Sequence, residues 1–129
     1  MHLHNWTTKP RPPQDVLAYL RARVLPRYAK PSEAAPTSEQ LEQARRFRVK
    51  LDKMCDDCLH NETFGFYRET GVTGAYHTLR AVRARLREIR HTKLRAAYSQ
   101  VVYETETEFN RWVQQLRREQ AQPPRSRQV

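Results

Sequence analysis

The sequence predicts an all-α chain that is extended and non-globular, and three observations carry that expectation. Apolar residues recur at helical spacing along most of the 129 residues. They nevertheless make up only 38 % of the chain, with a mean hydropathy of −0.93, which leaves little material for an interior. Finally, the eight prolines fall near the two ends and in one linker, where they stop helices and leave irregular arms. The expected form is a single unit over 1–129: a short N-terminal helix, a middle helix and one long C-terminal helix, ordered by lying against a partner.

Residues 1–12 read as an arm containing Trp6 and ending at Pro12. A short helix is expected over 13–25, because proline suits a first turn and Asp15 opposes the N-terminal dipole. Val16, Leu17, Leu20 and Val24 form its apolar stripe, and Pro26 ends it. Residues 26–36, "PRYAKPSEAAP", read as an extended proline-rich linker. Thr37-x-x-Gln40 is a capping-box pattern that opens a helix over 38–60. Ala44, Phe47, Leu51, Met54 and Cys58 follow at steps of three and four, a heptad-like seam.

Residues 61–74 hold all three glycines and read as a loop carrying Phe64, Phe66 and Tyr67. Residues 75–120 lack Pro and Gly, and a continuous helix there would be ~70 Å long at 1.5 Å per residue. Its two stripes, Tyr76–Leu79–Val82–Leu86–Ile89 and Tyr98–Val102–Thr105–Phe109–Trp112–Leu116, are out of register around His91–Lys93. That break predicts a bend. "VVYETETEF" also alternates with period 2, so a strand over 101–109 competes with the helix, which its helical flanks favour. Residues 121–129 read as a polar tail.

The charge balance is 24 Lys+Arg against 14 Asp+Glu, or +10, and attracts acidic surfaces of any kind. Nineteen of those bases are Arg, whose planar guanidinium docks on phosphate or carboxylate in fixed geometry; a GC-rich genome would produce the same bias. No 18-residue apolar run exists, so no membrane span is expected. The N-terminus lacks a secretory h-region and an Arg-rich presequence, so no cleaved leader is expected.

Catalytic signatures are missing: no glycine-rich phosphate loop, no GxSxG, no HExxH, and no serine with a placed base. The chain therefore reads as a non-enzyme with no cofactor, no metal and no small-molecule substrate. Cys55-x-x-Cys58 has no second CxxC and no paired histidines to complete a zinc site, and it reads as part of the helix seam.

The strongest feature is basic. Between residues 80 and 95 seven bases face one acid, Glu88, and Arg80, Arg83, Arg87 and Arg90 recur at helical spacing beside the apolar stripe, with Lys93 and Arg95 following. Arg45, Arg46 and Arg48 flank the preceding helix seam, and Lys9, Arg11, Arg21, Arg23, Arg27 and Lys30 form a third group. The cations of the first two groups are the candidate contacts to an acidic partner. Trp6, Phe64, Phe66, Tyr67, Phe109 and Trp112 are the candidate aromatic anchors.

The stretch 89–113 resembles small helical microtubule inner proteins of ciliary and flagellar doublets, in which Leu-Arg, an apolar pair and an acidic-aromatic run follow an Arg-rich segment. The matching positions are Leu94-Arg95, Ala97-Tyr98, Glu104 and Glu108-Phe109; Val101, Phe109 and Trp112-Val113 depart from the pattern. The resemblance implies a structural axonemal component of the cytoskeleton that binds tubulin and neighbouring proteins and stabilises the lattice. The alternative is a lineage-specific mitochondrial ribosomal protein that binds rRNA through the same Arg-rich helix, beside other ribosomal proteins. The basic residues also suit an accessory subunit of a mitochondrial respiratory complex. Against the rRNA reading stand the missing presequence and the acidic run Glu104–Glu106–Glu108, which phosphate would repel.

Overall fold

The computed structural model describes residues 12–60 and 68–121. Each predicted apolar stripe turns inward. Val16, Leu20 and Val24 are buried, as are Ala44, Phe47, Leu51, Met54 and Cys58 in the second segment. Leu79, Val82, Leu86 and Ile89 follow in the third, with Tyr98, Val102, Thr105 and Phe109 in the last. All of the apolar members belong to one continuous core.

The stripes lie on four α-helices among the described residues: α1 (Pro12–Tyr19), α2 (Ser38–His60), α3 (Arg68–Arg85) and α4 (Thr92–Ala121). After α1 the chain widens into a π-helical turn over Leu20–Val24, in which the Leu25 N–H donates to the Leu20 carbonyl. It then tightens into a 3₁₀ turn over Leu25–Tyr28. Pro26 explains both: it has no N–H to give, and its ring would clash with an α-helical carbonyl one turn back. Thr37 and Gln40 exchange the predicted capping bonds, Thr37 N–H to Gln40 Oε1 at 2.9 Å and Gln40 N–H to Thr37 Oγ1 at 3.1 Å.

Side-chain contacts set the helix directions. Tyr19 stacks on Phe47 at 6.2 Å, while Asp15 and Val16 share a cleft with Met54 and Asp57, so α1 runs antiparallel to α2. Phe47 meets Tyr98 at 5.6 Å and Leu59 lines a cleft with Trp112 and Leu116, so α4 runs parallel to α2. Tyr76 meets Phe109 edge-on at 5.0 Å and Arg83 pairs with Glu106, so α3 runs antiparallel to α4. The α2–α3 pair thus has α1 on one side and α4 on the other.

This bundle overturns the expected extended, non-globular form. Mean hydropathy averages the core with an Arg-rich exterior, and it therefore understates an interior whose apolar positions are almost all placed inside. The single long helix over 75–120 is also two helices. A 3₁₀ turn over Leu86–Glu88 and an extended Ile89 (φ −77°, ψ 106°) separate α3 from α4, at the register shift between the stripes. Residues 101–109 are helical, which removes the strand alternative.

The loop expected over 61–74 ends sooner. Its part at 68–74 is helix, with Gly71 and Gly74 inside α3, while 61–67 lie outside the described residues. Burial of Val72 and Ala75 offsets the roughly 1 kcal/mol that each glycine costs a helix interior. No helix among the described residues is long and apolar enough to cross a membrane.

Candidate polyanion-binding surface

The α3–α4 junction is built by a distant segment. The Arg90 N–H donates to the Tyr28 carbonyl at 2.7 Å, the Ser32 N–H to the Arg90 carbonyl at 3.3 Å, and the Thr92 N–H to the Ser32 carbonyl at 3.0 Å. Ser32 and His91 form an isolated parallel bridge. His91 then caps α4: its Nδ1 accepts from the Leu94 N–H at 3.3 Å and its carbonyl from the Arg95 N–H at 2.8 Å. The proline-rich linker is therefore tied to the junction. It carries exposed Arg27 and Lys30 to the same end of the bundle as exposed Arg87, Arg90 and Lys93. The acids of these segments are Glu33 and Glu88, and Arg85 holds Glu88 at 2.6 Å.

Sequence spacing identified Arg87, Arg90 and Lys93 but did not place Arg27 and Lys30 beside them. Nothing local signals that juxtaposition, because it rests on backbone bonds between segments some 60 residues apart.

The remaining expected contact residues divide into two kinds. Arg48 is committed internally: Nη1 to Glu104 at 3.0 Å, Nη2 to Glu108 at 2.9 Å and Nε near Asp52 at 3.5 Å. Arg83 pairs with Glu106, while Arg45 and Arg46 lie at 3.0 and 4.0 Å from Glu42 on their own helix. Arg80, Arg87, Arg90, Lys93 and Arg95 form no ion pair among the described residues; all are exposed except the half-buried Arg95. The acidic run of α4 is thus neutralised from within by Arg48 and Arg83.

The aromatic anchors need correction. Phe109 is wholly buried against Tyr76 and is a core residue of the bundle, not an exposed anchor. Trp112 is half-buried against the core beside Leu59 and Leu116. Trp6, Phe64, Phe66 and Tyr67 lie outside the described residues. Tyr103, absent from the expected anchors, is 63 % exposed.

Cys55 and Cys58 are free and buried in the core, with Cys58 Sγ 3.9 Å from Met54 Sδ. Burial pushes both thiols up, Cys58 to about 11, which suppresses the nucleophilic thiolate near neutral pH. No group of three His, Cys, Asp or Glu among the described residues is arranged to hold a metal ion.

No protein family, curated protein or solved structure matches this chain.

Proposed function

We propose that this chain is a non-catalytic RNA-binding component of a ribonucleoprotein, gripping the phosphate backbone with Arg27, Lys30, Arg80, Arg87, Arg90, Lys93 and Arg95. One observation carries the reading. The carboxylates that would repel phosphate, Glu104, Glu106 and Glu108, are engaged by Arg48 and Arg83, whereas Arg27, Lys30, Arg80, Arg87, Arg90, Lys93 and Arg95 have no carboxylate partner among the described residues. Guanidinium groups free of internal acids form charge-assisted bonds to phosphate oxygens and release counterions as they do so.

The microtubule reading drew on a rod long enough to bridge subunits and on Phe109 as a pocket filler. The bundle divides the long helix and buries Phe109, and tubulin is the second arm of the test.

The purified chain should bind RNA with log K falling steeply against log salt. Arg87→Gln combined with Arg90→Gln should flatten that slope by about 1.5 on single strands, at roughly 0.7 per phosphate contact. RNA binding with no slope change in the double variant would remove the assignment to this surface. Co-sedimentation with assembled tubulin and no retention on RNA at 0.2 M salt would replace RNA with a microtubule partner.

A further inference from the structure

The furrow between α3 and α4 carries more than charge. On α3, Arg80 and Arg83 lie on the flank that Tyr76 also occupies, with Arg87 in the 3₁₀ turn that follows, and Tyr76 donates its hydroxyl hydrogen bond to Asn110 of α4. On α4, Asn110 and Glu106 lie on the flank facing α3, and Tyr103 and Ser99 continue that flank toward the junction. Arg95 opens the same row. Because the two helices are antiparallel and Arg83 meets Glu106, Tyr103 stands about one turn beyond Arg83 toward the junction, near the level of Leu86 and Arg87.

The tyrosines of the bundle are otherwise used. Tyr28 and Tyr98 are buried, Tyr76 is bonded to Asn110, and Tyr19 packs on Phe47 beneath the Lys50 ammonium at 4.6 Å. Tyr103 has no such role: it is 63 % exposed, and its ring and hydroxyl have no partner among the described residues, while the Thr107 hydroxyl donates to its backbone carbonyl at 2.9 Å. Among the large apolar residues that the bundle leaves exposed, Leu41 and Val49 lie on α2, and Tyr103 is the aromatic.

We propose that Tyr103 is a base-stacking residue and that the α3–α4 furrow takes single-stranded RNA, with Arg80, Arg87 and Arg95 on the flanking phosphates. This inference rests on the RNA reading above and narrows it. A duplex buries the faces of its bases, so an exposed ring beside a row of arginines gains nothing from it. A single strand presents a π-face at every nucleotide, and a ring of any sequence preference can accept it. The one acid in the furrow, Glu106, is held by Arg83 and does not oppose the strand.

The test uses the full chain with a labelled uridine-rich 12-mer and a blunt duplex of equal length. Tyr103→Ala should weaken binding of the single strand about tenfold, a loss within the range for one stacked base, with the salt slope unchanged because no charge is removed. Duplex binding should stay within about twofold, and Tyr103→Trp should restore or exceed wild-type affinity for the single strand. Because the side chain is exposed, an unaltered melting curve should accompany these changes. If Tyr103→Ala binds the single strand as wild type does, while Arg87→Gln with Arg90→Gln weakens it, stacking is wrong and the phosphate reading stands. If the wild-type chain binds neither RNA, both fall.

Discussion

Arg48 is the clearest case of a side chain whose role its neighbours in sequence conceal. Flanked by Arg45, Arg46 and Lys50, it reads as one more cation on a solvated face, yet it bridges α2 to Glu104 and Glu108 of α4. Its third partner, Asp52, has a different standing. Burial, joined by the repulsion of Glu108, raises the Asp52 carboxyl above its ordinary value, and the Arg48 contact at 3.5 Å does not offset it. A carboxyl raised by folding contributes stability at low pH and loses it as pH rises through its folded value. Ionised Asp52 therefore costs the fold at pH 7. Asp52→Asn keeps an oxygen for Arg48 and removes the charge, so it should be at least as stable as wild type at pH 7. That advantage should shrink as pH falls toward 4. A melting temperature for Asp52→Asn well below wild type at pH 7 would show that the ion pair outweighs the burial. Charge type was legible at each of these positions; the pairing of Arg48 with Glu104 and Glu108 was not, because those partners lie more than 50 residues away.

At the scale of elements, the apolar stripes were legible nearly residue by residue, since helical periodicity is a local property. The capping box at Thr37 and the interruption near His91 were legible for the same reason. Three features were not. Histidine is an unusual helix cap, so nothing at position 91 announces the bond to the Leu94 N–H. The π-helical turn before Pro26 follows from proline sterics, but only once Leu20, Val24 and Leu25 are known to stay buried across it. Glycine content suggested a loop where α3 in fact begins, because the packing of Val72 and Ala75 was invisible locally. That last correction is open to a direct test. Gly74 sits inside α3 at negative φ, and an added Cβ would meet nothing within 4 Å. Gly74→Ala should therefore stabilise the protein by roughly 0.5–1 kcal/mol, measured by urea unfolding at constant m-value. A loop at this position would show no gain.

At the scale of the molecule, the sequence misleads through an average. A mean hydropathy of −0.93 describes a chain whose exterior is unusually rich in arginine as much as one whose interior is poor. The two differ in where the apolar residues fall, and here Tyr98, Phe47, Phe109, Leu51 and Leu79 all meet inside one core. A core that closes on its own implies that order does not wait for a partner. The isolated chain should then melt as a monomer in one cooperative transition, with an unfolding enthalpy on the order of 70 kcal/mol for the roughly 100 residues of the bundle. The same closure bears on binding. A preformed cationic surface docks without the ordering cost of a coupled folding reaction, so the heat-capacity change on RNA binding should be small beside that of unfolding. A broad, non-cooperative melt that sharpens only when RNA is added would reverse this order of events, making the acidic partner the scaffold on which the four helices assemble.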